Sequence, residues 1–148
     1  VHFSVQWDHV HLIVEASDQR ALSSGIRSLA IRIARYVNEL VMRGRLWADR
    51  WHGRALTSPR AVRNALAYVL ANFRKHANER FAPGVDAFSS AASFDGWSGV
   101  AAGAPLPRAG PAIHGAMARH VVVSESKTWL GATGWRRAGL LRVDEAPA

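Results

Sequence analysis

Two short runs at the start of the chain alternate apolar and polar residues, and this period of two constrains the fold more than any other feature. In "VHFSVQ" (1–6), Val1, Phe3 and Val5 alternate with His2, Ser4 and Gln6. In "HVHLIVEA" (9–16), Val10, Leu12 and Val14 alternate with His9, His11, Ile13 and Glu15. Successive side chains of a strand point to opposite faces, so each run has one face to bury. The first strand is expected to bury Val1, Phe3 and Val5. Only Trp7 and Asp8 separate the runs, so an antiparallel hairpin is the simplest connection, although Trp-Asp is not a favoured two-residue turn.

The period then becomes helical. Between residues 19 and 43, Leu22, Ile26, Leu29, Ile33, Val37 and Leu40 recur every three or four positions. Arg20, Arg27, Arg35 and Arg43 fall on the opposite arc, which predicts an amphipathic helix with a basic outer face. Ser17 or Asp18 can cap its start, and Gly44 is expected to end it. "RLWADRWHGRAL" (45–56) has strand character and reads as one strand or a short ribbon. A second helix opens in "TSPRAVRNALAYVLANFRKH", with Ser58 as cap and Pro59 in the first turn. Val62, Leu66, Val69 and Phe73 form its core stripe. From residue 82 to about 118, Ala, Gly, Ser and Pro dominate, which reads as a long loop that wraps the domain, anchored by Phe88, Phe94 and Trp97. "ESKTWLGATGWRRAGLL" (125–141) is expected to return as a short ordered element held by Trp129 and Trp135.

The chain has 148 residues, room for one domain with a modest core. It has no cysteine, which excludes disulfides and thiolate metal sites and accords with a reducing compartment. No apolar run approaches the ~18 residues of a membrane span. Net charge is +8, and its placement matters: residues 20–80 hold 13 Lys and Arg against 3 acids. Arg outnumbers Lys 17 to 2. The Arg fork suits phosphate oxygens and stacks on bases. Nucleic-acid binding and a merely solubilising surface both fit that charge.

Residues i and i+2 of a strand face the same way, roughly 7 Å apart along the backbone. His9 and His11 therefore present two imidazoles to one side, a spacing that suits one divalent cation but also arises incidentally. The chain has two tyrosines. Tyr68 sits at the edge of its helix's core stripe, with Asn64 one turn before it, Asn72 one turn after it and Lys75 close by. Tyr36 has Arg32 and Leu40 at the same offsets and reads as core edge. On periodicity alone, Tyr68 also fits a core-edge tyrosine with its hydroxyl in water.

His9-Val10-His11 in "DHVHLIVEA", a basic amphipathic helix, "RWHGRAL" and then "AYVLANFRKH" resemble, in this order, the single-tyrosine HUH transposases. The resemblance is strongest to the REP-associated tyrosine transposases; it covers roughly residues 1–80, and "TWL…GWRRAGLL" is similar as well. It implies that His9 and His11 bind a divalent metal, Mg²⁺ or Mn²⁺. It also implies that Tyr68 is the nucleophile, in a Tyr-x-x-x-Asn frame whose Asn72 completes the metal site. Two departures stand out. Asp8 replaces the Asn of many relatives before the first histidine, though it can still orient His9 from behind. Phe73-Arg74 follows Asn72 where many members have Asn-Pro.

The implied fold is a ferredoxin-like α+β sandwich, an antiparallel sheet with helices packed against it, here missing its N-terminal β-α unit. The sheet is then expected to have an open edge. Residues 1–80 would be the nuclease domain, N-terminally truncated, and 81–148 an Ala/Gly/Pro-rich extension, partly ordered at 125–141. The implied function is cleavage and rejoining of single-stranded DNA near hairpins through a 5′-phosphotyrosine link, in the bacterial cytoplasm at the nucleoid, as monomer or homodimer. Arg27, Arg35, Arg50, Arg54, Arg60, Arg63, Arg74 and Lys75 would track the DNA backbone. Trp47 and Trp51 would stack bases, with core burial for at least one of them. His52 is a DNA contact, a proton carrier, a supporting or spare ligand, or simply an exposed histidine. The main alternative is a non-catalytic DNA-binding protein derived from a transposase. A histidine-triad hydrolase needs a third alternating histidine, and position 13 is Ile. An RNA-binding domain built on the Arg helix and the tryptophans is a further rival.

Overall fold

The computed structural model describes residues 2–41, 44–71, 73, 84–100, 106, 108–109 and 123–145. Its elements are β1 (His2–Val5), β2 (Val10–Ile13), α1 (Gln19–Leu40), α2 (Pro59–Ala71), β3 (Val85–Asp86), β4 (Arg108–Ala109) and α3 (Trp129–Ala132). Two 3₁₀ turns, Ser90–Ser93 and Gly134–Ala138, are also present among the described residues. The architecture is mixed α/β, with a small antiparallel sheet and helices. Two compact units divide the chain: Val1–Val14 with Leu56–Ala148, and Glu15–Ala55.

In the first unit, β1 and β2 pair antiparallel, Phe3 opposite Leu12, Ser4 opposite His11 and Val5 opposite Val10. Gln6 N–H donates to the His9 carbonyl at 2.8 Å, so Trp7 and Asp8 form the tip of the expected hairpin. The inward face of β1 differs from the expectation. Val5 is 45% exposed, while Ser4 is fully buried. Hydrogen bonding explains the inversion. The Ser4 hydroxyl donates to the Asp86 carboxylate at 3.1 Å, and Gln6 Nε2 donates to both groups. The Ser90 hydroxyl lies 3.1 Å from His2 Nδ1 and accepts from Phe3 N–H at 3.0 Å. A buried polar face is stable when its groups satisfy one another. The expected open edge is also partly closed: Val5 N–H donates to the Phe88 carbonyl at 2.9 Å, and Ser4 bridges to Ser89.

Burial holds the His2 imidazole down at about 4, from its ordinary 6.5. Folding therefore opposes its protonation. Its contribution is full above pH 6.5 and is lost as the pH falls through 4, by up to roughly 3 kcal/mol. Asp86 acts in the opposite sense, because burial raises its carboxyl and folding favours the protonated form. Urea denaturation at pH 7 and pH 4 separates the two. His2→Gln should lose less stability on acidification than the parent, whereas an equal loss in both would show that His2 does not carry the effect.

The Ser58 hydroxyl caps α2 by accepting from Ala61 N–H at 3.2 Å, and Pro59 occupies the first helical position, where its missing N–H costs nothing. The helix buries Val62, Leu66, Ala67, Val69, Leu70 and Ala71, and it packs on both strands and on the Gly134–Ala138 turn. Val85, Ala91, Phe94, Trp97, Trp135 and Leu141 complete the core. The segment over 84–100 is therefore a core component, not only a wrapping loop. Phe94 meets Trp97 edge-on at 5.2 Å and lies tilted by 32° against Trp135 at 5.3 Å, and Trp97 Nε1 donates to the Ala91 carbonyl. Gly96 is required there, since a Cβ would collide with the Trp135 and Phe94 rings.

In the second unit, Asp18 caps α1, its carboxylate accepting from Ala21 N–H at 2.8 Å. The helix ends at Leu40, earlier than expected, and Asn38 Nδ2 then donates to the Gly44 carbonyl. No residue of α1 is buried. The expected strand over 45–56 is absent: the backbone there is irregular. Arg45 donates to the carbonyls of Trp47 and Ala48, at 2.8 and 2.5 Å. A side chain thus takes the acceptors that a neighbouring strand would need. Trp47 is partly buried and donates from Nε1 to the Ala30 carbonyl, so it does not alternate with Trp51 on a strand face. Among the described residues, no helix is long and apolar enough to cross a membrane.

Candidate functional site

The hairpin sets the imidazole pair. Positions 9 and 11 share a face, and the turn at Trp7-Asp8 places the pair at the end of β2. The two rings lie 4.5 Å apart between centroids, inclined by 72°. Asp8 Oδ1 sits 2.5 Å from His9 Nδ1. A carboxylate on Nδ1 favours the tautomer protonated there and leaves Nε2 as the basic nitrogen.

α2 supplies the phenol. Leu66, Ala67, Val69 and Leu70 are buried, and Tyr68 stands at the edge of that arc, 37% exposed. Its ring meets His11 edge-on with centroids 4.9 Å apart. The packing of α2 on β1 and β2 creates this contact, so three residues expected from the sequence, His9, His11 and Tyr68, converge.

The other expected residues divide into three groups. Asn72, Arg74 and Lys75 lie outside the described residues. Arg27, Arg35, Arg50, Arg54 and His52 are exposed in the Glu15–Ala55 unit, and Arg60 is exposed on α2. Arg63, expected to contact DNA, has its guanidinium on the Glu145 carboxylate, with Nη2 to Oε2 at 2.7 Å. This pair ties α2 to the segment after Leu141 and holds the Glu145 carboxyl below its ordinary range. No local pattern signals that pair, since the partners stand 82 positions apart.

Among the described residues, no group of three or more His, Cys, Asp or Glu side chains gathers around a metal position. Two adjacent imidazoles do fit a partial ligand set for a divalent cation, and the expected third ligand, Asn72, is an amide.

No protein-family model, curated protein or solved structure matches the chain.

Proposed function

We propose that this chain is a metal-dependent tyrosine strand transferase of the HUH type, cutting and rejoining single-stranded DNA beside hairpins. The observation that carries the proposal is the three-ring cluster, His9 to His11 at 4.5 Å and His11 to Tyr68 at 4.9 Å. A ferredoxin-like sandwich around the β1–β2 hairpin belongs to the same proposal.

In the proposed reaction the Tyr68 hydroxyl gives up its proton and its oxygen bonds to phosphorus. The bond from phosphorus to the 3′ oxygen breaks, and that oxygen takes up a proton and leaves as a hydroxyl. The 5′ phosphate stays on Tyr68 as a phosphodiester, so attack by a 3′-hydroxyl reverses the step and rejoins a strand. His9 and His11, with Asn72, would hold Mg²⁺ or Mn²⁺, which supplies charge stabilisation at the phosphate and at the leaving oxygen. Asp8 fixes the His9 ring through Nδ1. Arg27, Arg35, Arg50 and Arg54 supply phosphate contacts whose strength falls with salt.

The test is incubation with a hairpin oligonucleotide bearing a single-stranded arm, with Mg²⁺ or Mn²⁺. The expected product is a protein–DNA adduct that survives denaturing electrophoresis and is absent in EDTA. Bound DNA without an adduct would select the non-catalytic DNA-binding alternative. A separate measurement checks the metal. His11→Ala should weaken Mn²⁺ binding in calorimetry by at least about tenfold, since one of very few nitrogen ligands is lost. Unchanged affinity would remove the imidazole pair from the metal site.

A further inference from the structure

The tip of the hairpin carries a tryptophan in open water. Trp7 is 102% exposed, the highest value of any large hydrophobic side chain among the described residues. Neither of the usual reasons for a residue at such a place applies. Two-residue hairpin turns favour Asn, Asp or Gly, whose backbones accept the required angles, and an indole adds nothing to that geometry. An indole outside the core also forgoes the gain from leaving water.

Its surroundings narrow what could cover it. Trp7 lies between Gln6 and Asp8, polar residues already engaged with Ser4 and Asp86 and with His9 respectively. It stands two residues from His9, so the two Cα atoms are within about 7 Å. Trp129, another exposed tryptophan, packs against Arg137 at 5.0 Å. A flat aromatic in polar company, beside a candidate phosphate site on a chain of net charge +8, suits a flat, polar-edged ring on a polyanion.

We propose that Trp7 is a stacking platform for an unpaired base of single-stranded DNA, next to the phosphate handled by His9, His11 and Tyr68. The proposal deepens the strand-transferase function and rests on it. Stacking on the indole holds the strand at one point while the neighbouring phosphate meets Tyr68. It requires an unpaired base, because a base within a duplex has both faces occupied, so Trp7 also selects the single-stranded arm over the hairpin stem.

The test measures binding of a labelled hairpin with a single-stranded arm by fluorescence anisotropy, in EDTA so that no cleavage occurs. Trp7→Ala should weaken binding about tenfold, and Trp7→Phe, which keeps a stacking face, by less than about threefold. With abasic sites along the arm, the parent and Trp7→Ala should bind alike. Because Trp7 is wholly exposed, unchanged melting temperatures are expected for both variants. Should Trp7→Ala bind the intact arm as tightly as the parent, the stacking platform is overturned, while the adduct assay on Tyr68 still decides the strand-transferase function by itself. Should the parent fail to bind the arm at all, both proposals fall.

Discussion

Tyr68→Phe is expected to abolish the covalent protein–DNA adduct, a loss on the order of 10³-fold or more, as for removal of other enzymatic nucleophiles. The substitution deletes one oxygen and leaves the ring. The edge contact with His11 is a ring contact and survives in phenylalanine. Tyr68 is 37% exposed at the margin of α2's buried arc, so no cavity opens and the fold is not strained. His9, His11 and Asp8 are untouched, so Mn²⁺ affinity and binding of the single-stranded arm should stay within about twofold of the parent, in line with surface changes away from structural features. Loss of the adduct together with retained binding separates a nucleophile from a packing residue. An adduct formed at the parental rate by Tyr68→Phe would exclude Tyr68 as the attacking group.

Trp135→Ala is expected to cost about 3–5 kcal/mol of stability, the range for deleting a buried large aromatic. Trp135 is 2% exposed and packs with Phe94, Leu66 and Leu70 in the core cluster. Its turn lies against α2, the helix that carries Tyr68. Such a cost is a large fraction of the roughly 5–15 kcal/mol typical of a whole domain, so the variant should unfold at much lower urea. Trp129→Ala is the control: Trp129 is 53% exposed and should cost well under half as much. Equal urea midpoints for the parent and Trp135→Ala would show that the segment after residue 125 does not belong to the core.

Local period carried the sequence a long way. It placed the hairpin, both long helices, the Ser58 cap, the Asp18 cap as one of two candidates with Ser17, and the convergence of His9 with His11, because each depends on neighbours only a few residues apart. It failed wherever a distant partner decided the outcome. Alternation in β1 identifies two faces but not which one is covered, and the Asp86 carboxylate holds the Ser4 hydroxyl on the inward face. The aromatic, strand-like stretch over 45–56 has irregular backbone, with the Arg45 side chain on the carbonyls of Trp47 and Ala48. The small residues of 84–100 carry no period at all, yet Ser90, bonded to β1, and Ala91, in the core with Phe94, Trp97 and Trp135, are fully buried. At the candidate site, the residue types and the i, i+2 spacing were legible. The bond from Asp8 to His9 was legible only through their adjacency, and the ring contact between His11 and Tyr68 depends on how α2 packs.

The most direct test of the phenol as nucleophile is to locate the covalent link. After reaction with the hairpin oligonucleotide, nuclease trimming and tryptic digestion, mass spectrometry should find a nucleotide 5′-phosphate on the peptide spanning residues 64–74, attached at Tyr68. A phosphonucleotide on Tyr36 instead, or none on either tyrosine in a sample that has cleaved its DNA, would contradict it.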